Sequence, residues 1–166
     1  HVEREEVEVE GELFAPIDIE SVPALKERDD FIMGADISSV VEVLKRGGKF
    51  FDRNGNRTSV FKLLKDAGVN YVRIRLWNDP AAPNGKPYGG GNNDLEVAKR
   101  IGRIAKAFGM KILLDFHYSD FWADPGKQVI PKAWAAFTDS EQVKKAIYEF
   151  TYDRDLHSFP TGRSSD

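Results

Sequence analysis

Residues 111–125, KILLDFHYSDFWADP, begin as an apolar run and then open into His117, Asp120, Trp122 and Asp124. Aliphatic residues that give way to polar and aromatic ones describe the carboxyl end of a buried parallel strand that delivers side chains to a site. Residues 71–80, YVRIRLWNDP, have the same design, with Arg73 and Arg75 inside a β-rich run that ends in Trp77, Asn78 and Asp79. Two such strands with a helix between them predict a sugar-binding cleft on a β/α scaffold.

Working outward, residues 31–39, FIMGADISS, are expected to be the first strand, with Asp36 its only charge. A segment rich in glycine and charge follows at 45–56, where Asn54-Gly55 is a turn signal. Thr58 or Asn56 is expected to cap a helix with the apolar stripe Val60, Phe61, Leu63 and Leu64, and Gly68 to end it. The connection at 78–93 contains Pro80, Pro83, Pro87 and Gly89-Gly90-Gly91, and is too long for an ordinary βα turn. Asn93 or Asp94 caps a second helix, with Leu95, Ala98, Ile101, Ile104, Ala105 and Phe108 at helical spacing and Gly109 at its end. A third helix is expected near 139–150. The order β, α, β, α, β, α means parallel strands joined by right-handed crossovers. An open doubly wound sheet and a closed barrel both begin in this way.

Strand parity separates the two. Side chains alternate along a strand, so Val72, Ile74 and Leu76 share one face while Arg73, Arg75 and Trp77 share the other. Ile112, Leu114 and Phe116 likewise oppose Leu113, Asp115 and His117. A sheet covered by helices on both sides would be apolar on both faces. One apolar face and one face charged near its carboxyl end suit a barrel, with Asp36, Arg73, Arg75, Asp115 and His117 converging inside it. Charges brought together in that way must be paired, so Asp36 and Asp115 are expected to neutralise Arg73 and Arg75.

Composition excludes several classes. The chain has 166 residues, a net charge of −3 and no cysteine, so disulfides and thiol chemistry are absent. With no basic cluster, nucleic acid is not an expected partner. No apolar run approaches the ~20 residues needed to cross a bilayer, so no membrane partner is expected. No HExxH or EF-hand spacing appears and no Lys-Ser/Thr follows the glycine run, so neither a metal nor a phosphate-bearing cofactor is expected. The chain begins at His1 without a leader, which leaves its location unread. Residues 1–30 are dense in charge, alternate Val and Glu within HVEREEVEVEGEL at 1–13 and contain Pro16 and Pro23, which favours an acidic extended arm over an edge strand.

Taken together, GADISS at 34–39, AGVNYVRIRLWNDP at 67–80, YGGGNNDLE at 88–96, DFHYSDFWADPGKQ at 115–128 and PKAW at 131–134 resemble the arabinogalactan endo-β-1,4-galactanases of glycoside hydrolase family 53. The resemblance covers residues 31–152 as a partial glycoside hydrolase domain. It implies an α/β fold made of the amino-terminal three β/α units of a TIM (β/α)₈ barrel, incomplete against the roughly 250 residues of a whole one. It implies endo-hydrolysis of β-1,4 links in the galactan side chains of pectin, a polysaccharide substrate, and a secreted or cell-surface setting. It implies a retaining mechanism with two glutamates about 5–5.5 Å apart. In the family one glutamate follows an Asn at the end of strand four and the other ends strand seven, and this chain is expected to stop before both. Glu42, Glu96, Glu141 and Glu149 match neither motif. Residues 153–166, DRDLHSFPTGRSSD, read as an atypical polar tail.

The resemblance also implies that Arg73 hydrogen-bonds the nucleophile, where a structural ion pair is the plainer reading. His117 is either a core histidine satisfied by Asp115 or a site residue. Trp77 and Trp122 either seal the barrel top or stack on the C–H faces of galactose, and Trp134 reads as packing. Asn78, Asp120 and Asp124 are candidate sugar-binding residues; for the two aspartates, hydrogen bonds to backbone or sugar hydroxyls are expected rather than acid–base work. Three functions follow: an endo-galactanase whose 166-residue portion is inactive by itself, a non-catalytic galactan-binding fragment, or a non-functional truncated remnant. Whether another polypeptide supplies the remainder of the barrel is left open.

Overall fold

The computed structural model describes residues 31–86 and 91–156, with side chains as far as Tyr152. The chain divides into His1–Phe31 and Ile32–Asp166, and the second unit is the one described. Residues 1–30, where an acidic extended arm is expected, Pro87 to Gly90, and the part of the expected polar tail beyond Leu156 lie outside the described residues.

Three parallel strands make the sheet, β1 (Gly34–Asp36), β4 (Tyr71–Leu76) and β5 (Lys111–Phe116), adjacent in that order. Between β1 and β4 lie helix α1 (Val40–Lys45), a small antiparallel hairpin of β2 (Phe50–Phe51) and β3 (Arg57–Thr58), and helix α2 (Val60–Asp66). Helix α3 (Leu95–Ala107) joins β4 to β5, and a 3₁₀ turn (Lys132–Trp134) precedes helix α4 (Ser140–Leu156). The three parallel β/α units expected from the sequence are present. Helix α4 continues past Tyr152, so the proposed boundary there does not coincide with the end of an element.

Local chemistry explains the element ends. The Ser59 hydroxyl accepts a hydrogen bond from Phe61 N–H and caps α2, because Thr58 is already committed to β3 and Asn56 to the hairpin turn. In that turn Asp52 Oδ1 accepts from the N–H groups of Asn54 and Asn56, and Gly55 has φ +79°. Asp94 caps α3 by accepting from Val97 N–H, and Asp139 caps α4 by accepting from Glu141 and Gln142 N–H. Gly68 and Gly109, at φ +88° and +70°, follow α2 and α3 in a conformation that a Cβ would strain.

The first strand is three residues long rather than the nine expected. Ile37 N–H still donates to Arg73 C=O, but at the next pairing position the Ser38 hydroxyl accepts from Arg75 N–H at 2.8 Å and replaces the ladder. The core lies on the helix side of the sheet. Val72, Ile74 and Leu76 are sealed at 0–1% exposure against Ala98, Ile101 and Ala105 of α3. Burying each large aliphatic side chain there contributes about 1.5–3 kcal/mol.

Candidate functional site

Alternation along β4 turns Arg73 and Arg75 to the face opposite the core. Arg73 Nη1 donates to Asp36 Oδ2 at 2.8 Å and its Nη2 to Asp115 Oδ2 at 2.5 Å, so one guanidinium bridges carboxylates from the strands on either side. His117 Nε2 lies 3.0 Å from the same Asp115 oxygen, and Arg75 Nη2 is 3.4 Å from both oxygens of Asp36. Asp36, Arg73, Arg75, Asp115 and His117 are therefore brought together as the sequence indicated.

Burial works to raise the pKa of Asp36. The hydrogen bonds that it accepts from the Ser38 hydroxyl and N–H, together with the charges of Arg75 and Arg73, outweigh burial and hold the carboxyl below its ordinary range. Ser38 was not picked out from the sequence. Its signal was only its place two residues after Asp36, where a hydroxyl can serve both the carboxylate and an unpaired strand N–H.

The two tryptophans differ. Trp77 has no exposed surface and is packed against Phe121 and Trp122, with ring centroids 5.6 Å away in each case. Trp122 is 45% exposed, and the Arg75 guanidinium carbon lies 3.8 Å from the centre of its ring. Trp122 therefore offers aromatic surface at the site, whereas Trp77 supports it from beneath. Trp134 is buried against Phe150, as a packing residue would be.

Asp120 uses both carboxylate oxygens on the protein. Oδ1 accepts from Asp79 N–H at 3.0 Å and Oδ2 from Lys132 N–H at 2.8 Å. Asn78 N–H donates to Ser119 C=O, and the Lys132 ammonium meets the Asp79 carboxylate at 3.2 Å and also Ala81 C=O. The loops that follow β4 and β5 are thus tied together, with Asp120 and Lys132 as the knot. Residue spacing carries no signal for the Lys132 ammonium, because Asp79 and Ala81 are about fifty positions away. Asp124 accepts from Gly126 N–H and closes an exposed turn with Lys127.

At the edge of the site Gly91 has φ +87°, and a Cβ there would sit 2.8 Å from the Glu42 Cβ, so the last glycine of the triplet permits a close approach of loop and helix. Glu42 itself lies on α1 and is bound by Arg46 at 2.7 Å. The side chains of Glu96, Glu141 and Glu149 are 76%, 78% and 57% exposed on helix surfaces. Among the described residues no cluster of three or more His, Cys, Asp or Glu could hold a metal ion, and no helix is long and apolar enough to cross a membrane.

The profile of glycosyl hydrolase family 53 matches residues 32–159. An endo-β-1,4-galactanase of Bacillus subtilis (strain 168) is 58% identical over 123 residues, which are 74% of this chain and 28% of that protein. An arabinogalactan endo-β-1,4-galactanase of Cellvibrio japonicus is 42% identical over 74% of this chain and 31% of its own length. Among solved structures, the GH53 catalytic domain of Ignisphaera aggregans superposes with a TM-score of 0.73 at 46% identity, covering 80% of this chain and 36% of that one. The chain thus spans about a third of the length of the relatives that it matches.

Proposed function

The chain belongs to glycosyl hydrolase family 53, and from that premise we propose that its polar sheet face is the floor of a cleft in which internal β-1,4-galactosidic links of galactan are hydrolysed. The observation that carries this reading is the bridge from Arg73, on the middle strand, to Asp36 and Asp115, near the carboxyl ends of the strands on either side, with Trp122 against the neighbouring Arg75. A guanidinium has five N–H donors. Two of them hold Asp36 and Asp115, which leaves others for a further carboxylate. Its charge would keep such a carboxylate ionised and ready to act as a nucleophile.

In a retaining glycosidase one glutamate protonates the leaving oxygen while the other attacks the anomeric carbon, and water then breaks the covalent intermediate. No glutamate of this chain matches either motif, so both come from elsewhere in the barrel. The residues here supply the floor: Arg73 supports the nucleophile, Arg75 and His117 hold Trp122 and Asp115 in place, and Trp122 presents a ring to a galactosyl C–H face. Asn78, Asp120 and Asp124 shape the rim. Asp120 does so through the backbone groups that it holds, and Trp77 through the surface that it supports. A galactan-binding role without turnover is the second reading, favoured by the accessible Trp122 ring.

A chimera tests the proposal. Residues 32–152 of this chain replace the matching segment of the Bacillus subtilis relative, and hydrolysis of β-1,4-galactan is measured. The chimera is expected to be active, the 166-residue chain alone inactive, and Arg73→Ala in the chimera is expected to lower kcat by about 10²–10³ through lost electrostatic support. A folded chimera that binds galactan without cleaving it would favour the binding reading. Cleavage by the isolated chain would falsify the assignment of the acid and nucleophile to other parts of the barrel.

A further inference from the structure

Away from the polar sheet face, the helices frame a second concave surface. Two hollows of about 330 and 210 Å³ share Leu44 and Phe61 as walls and together make a groove. Val40, Val41, Ile101 and Ile104 floor the first, between α1 and α3; Gly48, Phe50 and Val60 floor the second, where the hairpin meets α2. Lys45 and Arg100 line the first hollow, Lys49 and Arg57 the second, and all four are exposed. The walls come from the β1–β4 and β4–β5 connections and not from a free edge of the sheet.

The rim of this groove keeps its charge. Carboxylates nearby are already committed, Glu42 to Arg46 at 2.7 Å, Asp66 to Lys62 at 2.5 Å and Glu96 to Lys99 at 3.1 Å. Asp52 is taken up by the N–H groups of the hairpin turn. Lys45, Lys49, Arg57 and Arg100 form no ion pair among the described residues. In a chain of net charge −3, four unpaired cations around one apolar groove are a local reversal of sign.

An apolar floor with a cationic rim selects among ligands. Phosphates of a nucleic acid would engage the rim and leave the floor unused, whereas a neutral sugar would cover the floor and leave the charges unused. A chain of uronic acid residues uses both, because its rings turn C–H faces to the floor while its carboxylates accept hydrogen bonds from Lys and Arg. The proposed substrate favours that polymer over an acidic peptide, since galactan is borne as side chains on a pectin backbone rich in galacturonic acid.

We propose that this groove is a docking site for the polyuronide backbone of pectin, separate from the cleft over Arg73. A rim of one sign raises the local concentration of a polyanion, and with it that of the galactan attached to it. The identity of the partner rests on the galactanase reading.

Affinity electrophoresis of the 166-residue chain in gels containing soluble polygalacturonate tests the proposal. Retardation is expected, and it should vanish when the carboxyl groups of the polymer are methyl-esterified and weaken as salt is raised. Lys49→Gln combined with Arg57→Gln, both at exposed positions, is expected to lower the affinity about tenfold or more with the melting temperature unchanged. Leu44→Asn, which removes floor but no cation, should lower it about threefold or more. No retardation, retardation that survives esterification, or equal or tighter binding of single-stranded DNA or poly-glutamate at the same salt would overturn the docking site. In the chimera, the double variant should raise KM for galactan still attached to its backbone and leave kcat on free galactan unchanged. An inactive chimera that binds polygalacturonate upholds the docking site and counts against the galactanase reading; an active chimera that does not bind it does the reverse.

Discussion

Strands β4 and β5 have six residues each, run parallel, and come from the same kind of sequence, yet they occupy different environments. On β4, Val72, Ile74 and Leu76 are sealed, and even Arg75 is only 8% exposed. On β5, Leu113 is 54% exposed, and Ile112, Leu114 and Phe116 are only partly buried. The difference is positional. Strand β4 has a strand on each side and α3 against one face, whereas β5 has one neighbouring strand among the described residues. An apolar residue states what a strand can bury, and its neighbours in the sheet decide what it does bury.

The sharpest way to break this comparison is to truncate one residue on each strand. Ile74→Ala is expected to cost about 2–5 kcal/mol in urea unfolding, because it empties a site closed on every side. Leu113→Ala, the smallest effect foreseen, should stay within about 0.5 kcal/mol. Because Leu113 lies on the face that carries Arg73 and Asp115, equal costs would show that this face of β5 is covered in solution. Between these extremes lies Asp120→Ala, which strips the acceptor from two N–H groups at once and should cost roughly 1–3 kcal/mol. It should also speed amide exchange at Asp79 and Lys132 more than at Val72; unchanged exchange at both would show that the loops are held by other contacts.

A pH series sharpens the link between the strands. The Asp36 carboxyl titrates below its unfolded value of about 3.9. Its contribution is thus complete above that value and is lost as pH falls through the lower folded pKa. The stability gap between the native chain and Asp36→Asn should therefore be flat from about pH 7 to 5 and close below about pH 4. A gap that widens on acidification would contradict the hydrogen bonds from Ser38.

Periodicity was sufficient for the three parallel strands, the helices between them and the convergence of Asp36, Arg73, Arg75, Asp115 and His117, because burial on one face imposes a period of two along a strand. It was insufficient where a short polar side chain replaces the ladder. Ser38 ends β1 early by accepting the Arg75 N–H, and no propensity registers that exchange. The β2–β3 hairpin was missed although its Asn54-Gly55 turn was read, since two-residue strands are too short to show alternation. In the site, hydrogen bonds between Asp120 and backbone or sugar hydroxyls were expected; it accepts from backbone N–H groups, but that these belong to Asp79 and Lys132 is set by tertiary structure alone.

The Arg73 bridge has a consequence for assembly of the sheet. Its two partners are 37 and 42 residues away along the chain, on different strands. If β4 slipped by one residue against its neighbours, Arg73 and Arg75 would swing to the side of α3 and lodge, unpaired, among Ile101 and Ala105, while Ile74 would face the carboxylates. An uncompensated buried charge costs several kcal/mol. The ion network therefore proofreads strand alignment, rejecting misaligned sheets before any ligand is present.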